Sequence, residues 1–180
     1  MKKKTEPLLG LTMGDPTGVG AEIIVKALHS SPHRVVVIGD AAVMRAAAKI
    51  TGISVEIRGI REISEAEFKE RAIEVVDLGN VDMDKLVRGK VSSMGGSAAF
   101  DYVEMAARLS MAGEIEAMVT APLSKEALNM AGYAYPGHTE ILAQLCKAPG
   151  VVMMLVAGDL RVSHVSTHVS LSQACKMVKK

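Results

Sequence analysis

The sequence has no tryptophan, three tyrosines and two phenylalanines, so only 3% of it is aromatic. That excludes the base-stacking platforms on which proteins hold single-stranded nucleic acid. A surplus of one charge sign is missing too. Lys and Arg number 21 against 20 Asp and Glu, a formal net charge of +1. Such a balance draws neither nucleic acid nor a strongly acidic partner. Basic residues gather only in Met1–Lys4 and in "KMVKK", which read as solvated tails. The longest purely apolar run, within "VVMMLVAG", is far below the ~20 residues that span a bilayer. No apolar h-region follows the charged start, so neither a membrane span nor a secretory signal is expected. The two cysteines, Cys146 and Cys175, lack CxxC spacing and read as reduced thiols of a cytoplasmic protein.

What is present is core material: 49% of the 180 residues are apolar. "LLGLTM" (8–13) is a short strand, followed by the turn "GDPTGVG" and then a helix. In that helix Ala21, Ile24, Val25 and Leu28 recur on one face. "RVVVIG" (34–39), "VEIRGI", "AIEVVDLG" and "IEAMVT" (115–120) read as further strands. The alanine-rich "AAVMRAAAKI" and the stretch from "GGSAAF" to Gly113 read as helices, as do "PLSKEALNMAG" and "TEILAQLCK". Thr139 is placed to cap the last of these. "GVVMMLVAGDLRVSHVS" predicts a hairpin turning at Gly158-Asp159, and "SLSQACKMVKK" opens with a capping box at Ser170 and Gln173. Alternating strands and helices predict an α/β fold with a largely parallel sheet, to which the hairpin adds an antiparallel element. The final helix carries an apolar stripe that no later element covers, so the fold reads as interrupted.

Several residues are candidates for chemistry. In "GDPTGVG" a glycine-rich turn between strand and helix presents backbone N–H groups to an anion, or else is a tight structural turn in which Gly14, Gly18 and Gly20 supply unusual backbone angles. It fits neither nucleotide-binding fingerprint. Thr120 and Ser124 read as partners of free backbone donors. Lys125 opens a helix, where the macrodipole disfavours a cation; a bound anion would offset that, and a solvated lysine is the plainer reading. His138 lies in "PGHTE" (136–140), either beside Thr139 as a ligand-holding imidazole or as a surface-turn histidine. His168 lies just past the end of a strand, where α/β sheets bind ligands. His164, four residues before it, reads as a local strand residue, because two imidazoles at that spacing converge on a metal only from a helix. His29 and His33 read as structural or solvated. A metal needs three or four ligands, and the residues alone supply His168 with no clear partner.

In this order and spacing, "LTMGDPTGVGAEI", "VTAPLSKEALNMAG", "YPGHTEILAQL" and "VVMMLVAGDLRVSHVSTHVSL" resemble the 4-hydroxythreonine-4-phosphate dehydrogenase family, from about Leu9 to the last residue. The resemblance implies α/β/α layers like those of isocitrate and isopropylmalate dehydrogenases, with the active site between two domains and completed by the second subunit of a homodimer. Residues 1–125 would then form the first domain and 126–180 the incomplete start of the second, the chain being the N-terminal portion of a longer enzyme. By position, the resemblance assigns substrate contact to His138 and Thr139 and a divalent metal (Zn, Mg or Co) to His168. It implies NAD-dependent oxidation and decarboxylation of 4-hydroxythreonine 4-phosphate in pyridoxal phosphate biosynthesis. The first loop, "GDPTGVGAE", and the "HVSTHVS" context are also similar to paralogues acting on D-threonate or D-erythronate 4-phosphate. The rivals are a non-redox relative such as a phosphate acyltransferase, and a non-catalytic ligand-binding or interaction fragment.

Overall fold

The computed structural model describes residues 6–31, 33–166 and 169–179. Five strands form one all-parallel sheet: β1 (Leu9–Thr12), β2 (Val35–Gly39), β3 (Glu56–Ile60), β4 (Ala72–Asp77) and β5 (Ala117–Thr120), in the order β3-β4-β2-β1-β5. β2 shows why its sequence lacks an alternating pattern. Val36, Val37 and Ile38 are all fully buried, because helices cover both faces of a parallel sheet. α1 (Gly20–Leu28) and α2 (Ala41–Thr51) pack on each other, while α3 (Ser93–Met111) packs on β1, β2 and β5. The chain moves from β1 through β2 toward one sheet edge and then returns past β1 to β5. With right-handed crossovers, that reversal puts α1 and α2 on one face and α3 on the other. This is the expected α/β/α layering.

Local chemistry sets the helix ends. Buried Asp40 caps α2 by accepting from the N–H groups of Ala42 (2.8 Å) and Val43 (3.1 Å), while its other oxygen accepts from Val81 N–H (3.2 Å). Ser92 caps α3 through Gly95 N–H (3.1 Å). So α3 begins two residues before the glycines that marked its start in the sequence. Gly95 and Gly96 lie inside the helix, and they are there for contact: a Cβ on Gly96 would overlap the backbone of Ala127.

Beyond the sheet lie α4 (Lys125–Met130), α5 (His138–Leu145), the hairpin β6 (Met154–Ala157) and β7 (Leu160–Ser163), and α6 (Leu171–Met177). Gly158, at φ 58°, makes the hairpin turn, and Ser170 forms the expected capping box with Gln173. The hairpin adds no strand to the parallel sheet; it is a separate two-stranded antiparallel sheet, and all its residues are exposed. A second, smaller core lies outside the sheet. Leu128 of α4 and Ile141 of α5 bury against Phe100 and Val103 of α3, with the Tyr133 ring stacked on Phe100 at 3.9 Å between centroids.

Candidate functional site

The sheet's topological switch point lies between β1 and β5, and ligands of such sheets bind beyond the strands' carboxyl ends. Here the two loops that leave those ends pack on each other. Asp15 N–H donates to Pro122 O (3.0 Å), and Gly14, at φ 73°, leaves no room for a Cβ against that same carbonyl. The "GDPTGVG" turn is satisfied from within. The Asp15 carboxylate accepts from Thr17 N–H (2.8 Å) and Thr17 hydroxyl (2.7 Å), and Asp15 O accepts from Gly18 N–H (3.0 Å). With the amides of Asp15, Thr17 and Gly18 engaged and a buried carboxylate at its centre, this turn is built as a tight structural turn. Gly14 alone of its three glycines has a positive φ; Gly20 is required because a Cβ would strike Met13 O.

The site lies farther out, where the β5–α4 loop delivers Lys125. A cleft of about 650 Å³ is lined by Lys125, the turn Pro136–Gly137, His138, Thr139, Glu140, Met153, His164 and Ser166. That volume suits a small organic ligand. Ser124 caps α4 by accepting from Ala127 N–H (3.2 Å), which fixes Lys125 as the first helical residue, exposed on the rim. Ile141, wholly buried in the second core, anchors α5 and so holds His138 and Thr139 at the helix start.

Thr139 is not the cap of α5. The helix begins at His138, with Gly137 in the capping position, because the first turn closes on Gly137 O through Ile141 N–H (3.3 Å). Thr139 is thereby released from a capping bond and lines the cleft. Beside it, His138 is half-buried, and its Nε2 is shut from solvent with no hydrogen-bond partner among the described residues. Burial also pushes its pKa below the ordinary imidazole value, which favours the neutral form of the ring. An unpaired buried polar atom costs about 1–3 kcal/mol, a cost that a ligand hydrogen bond would remove.

His164 is the residue that sequence reasoning passed over. β7 ends at Ser163, so His164 leaves the strand, and its N–H donates to Met153 O (3.4 Å) across the open end of the hairpin. The ring is half-buried on the cleft wall. A helical spacing rule could not find it, since the cleft forms by hairpin and α5 meeting rather than along one helix face. His168, the candidate metal ligand, lies outside the described residues. Among the described residues no group of three or more His, Cys, Asp or Glu converges as a metal site, and no helix is long and apolar enough to cross a membrane.

Comparison with known proteins fits this geometry. The model of the family described as pyridoxal phosphate biosynthetic protein PdxA matches residues 31–180. The D-threonate 4-phosphate dehydrogenase of Cupriavidus necator is 45% identical over 177 residues, which are 96% of this chain and 53% of that protein. A crystal structure of 4-hydroxythreonine-4-phosphate dehydrogenase from Burkholderia phymatum matches with a TM-score of 0.90 at 44% identity, covering 96% of this chain and 53% of that one. A terephthalate 1,2-cis-dihydrodiol dehydrogenase from Burkholderia xenovorans matches with a TM-score of 0.72 at 30% identity, covering 93% of this chain and 50% of that one. The chain therefore spans about half the length of the curated relatives it matches. The sheet order, the cleft and the family match lead to one conclusion: this chain belongs to the PdxA family.

Proposed function

We propose that this site serves the NAD-dependent, divalent-metal-dependent oxidation and decarboxylation of a small phosphorylated hydroxy acid, 4-hydroxythreonine 4-phosphate, in pyridoxal phosphate biosynthesis. The enzyme would act as a cytoplasmic homodimer. The observation that carries the reading is the unpartnered, buried Nε2 of His138 on a cleft that also presents Lys125, Thr139 and His164. Relatives named for oxidising phosphorylated acids support it.

In this reading His138 and Thr139 hold the substrate through a ring nitrogen and a hydroxyl, and the Lys125 ammonium complements its negative charge. When bound, NAD would supply the acceptor for the hydride from the secondary alcohol carbon, the hydroxyl proton would pass to a base, and the resulting β-keto acid would lose carbon dioxide. A divalent ion (Zn, Mg or Co) would supply Lewis acidity for the developing oxyanion, with His168 as one proposed donor. The described residues do not by themselves close a metal shell, so the roles derived for them are binding and charge complementarity.

A second reading, D-threonate 4-phosphate as substrate, is favoured by the name of the 45%-identical relative. The test is NADH formation by the intact protein from each acid, with and without a chelator. Chelator-sensitive turnover of at least one is expected, while silence on both with metal and NAD supplied would end the dehydrogenase reading. His138→Ala should raise KM about tenfold, the loss of one hydrogen bond to a charged group. His168→Ala should abolish metal uptake.

A further inference from the structure

We propose that one face of the β6–β7 hairpin is a docking surface, and that its occupant is a segment equivalent to the half of the relatives that this chain does not match. Docking there is independent of the dehydrogenase reading. The strand register defines the face. Leu155 lies opposite Val162 and Ala157 opposite Leu160, and residues two apart on a strand point the same way. All four are apolar and exposed, Leu155 by 54% and Leu160 by 64%. The other face is mixed, with Met154 across from Ser163 and Val156 across from Arg161. An antiparallel sheet with one apolar and one mixed face is built to be covered on the apolar side. β6 also carries neither the charge nor the proline that blunts a free strand edge.

Three observations select the occupant. Among the described residues, most of the large apolar side chains left exposed lie between Val151 and Val178, while the others are scattered along the rest of the chain. A concentration of that kind marks an interaction surface. Nearly half of each relative has no counterpart here, since the chain covers 53% of the Cupriavidus necator protein and 53% of the Burkholderia phymatum one. The face is also continuous with the candidate site. Met153 and His164 extend the hairpin register by one pair through the bond from His164 N–H to Met153 O, and both line the cleft. A segment seated on the face therefore reaches the cleft. A second copy of this chain is the poorer occupant. Four aliphatic side chains fall short of the about 800 Å² per partner that a stable dimer buries, whereas a tethered segment docks at high effective concentration and needs less.

The experiment joins the unmatched half of the 45%-identical Cupriavidus necator relative to this chain after Lys180 and compares the hybrid with the chain alone. Hydrogen exchange follows the amides of residues 154–157 and 160–163. Urea unfolding follows Leu155→Ala, with Ile50→Ala, exposed on α2, as the control. In the hybrid, hairpin exchange is expected to slow by about a hundredfold or more. There Leu155→Ala should lower the urea midpoint by about 1 M, while in the chain alone it leaves the midpoint nearly unchanged. Ile50→Ala should leave both proteins nearly unchanged. Hairpin amides that exchange as fast in the hybrid as in the chain alone overturn the proposal. So does a Leu155→Ala hybrid as stable as its parent. Sedimentation of both proteins tests the other occupant: dimers that Leu155→Asp splits would assign the face to a second copy and overturn the proposal as well.

Discussion

Two apolar runs of this chain have similar compositions and opposite surroundings. In β2, Val36, Val37 and Ile38 are 0% exposed, whereas in β6 Leu155 is 54% and Val156 61% exposed. Both runs are strands, so β-propensity does not separate them. Partners do. β2 has β1 and β4 as hydrogen-bonded neighbours and α3 packed on it, while among the described residues β6 pairs only with β7. A two-stranded hairpin is marginal in water without a third strand or a helix packed on it. The lesson is that an apolar run specifies a strand locally, while its burial depends on what the rest of the chain brings to it. The candidate cleft lies away from the parallel sheet, between α5, anchored by buried Ile141, and the thinly supported hairpin.

Substitutions should sharpen that contrast. The largest effect is expected at Gly96, where the methyl of Gly96→Ala would overlap the Ala127 backbone and pry α4 from α3. A loss of about 3 kcal/mol is expected from such overpacking, read as a fall in the urea midpoint. Ile38→Ala should cost about 3 kcal/mol by leaving a cavity in the sheet core, also read by urea unfolding. Asp40→Ala should cost about 2 kcal/mol, since it removes the cap of α2 and the bond to Val81 N–H together.

A smaller effect is expected from pH. Burial lowers the His138 pKa, so the folded chain resists a proton that the unfolded chain accepts. This contribution to stability is fully present above the ordinary imidazole pKa and is lost as pH falls from there through the depressed folded value. His138→Asn should flatten that part of the urea-midpoint profile; an unchanged slope would mean the ring does not govern it. The smallest effect is expected in the hairpin, where Leu155→Ala should change stability by less than about 0.5 kcal/mol. A cost at Leu155 near that at Ile38 would erase the distinction between the two regions.

Much of the fold was legible because its signals are local. The β-branched run of β2, Ser124 ahead of α4 and the Ser170 capping box each act within a few residues. The errors arose where a distant contact decided. Gly95 and Gly96 looked like a helix start and are packing glycines, because Asp15 and Ala127 approach them from elsewhere in the chain. Thr139 looked like a cap, but the first turn of α5 closes one residue earlier. His164 looked inert because its spacing to His168 suits no metal on a strand, yet the hairpin carries it to the cleft wall that α5 completes.

The sequence by itself determined the element order, the parallel sheet and the caps at Ser124 and Ser170, since hydrophobic period and capping chemistry need only near neighbours. Only the tertiary structure decided that the "GDPTGVG" turn is filled by its own aspartate and Pro122, and that Lys125, His138, Thr139 and His164 line one cleft. Those outcomes depend on segments far apart in the chain packing together, and side-chain spacing along a strand or helix carries no record of what arrives from across the fold.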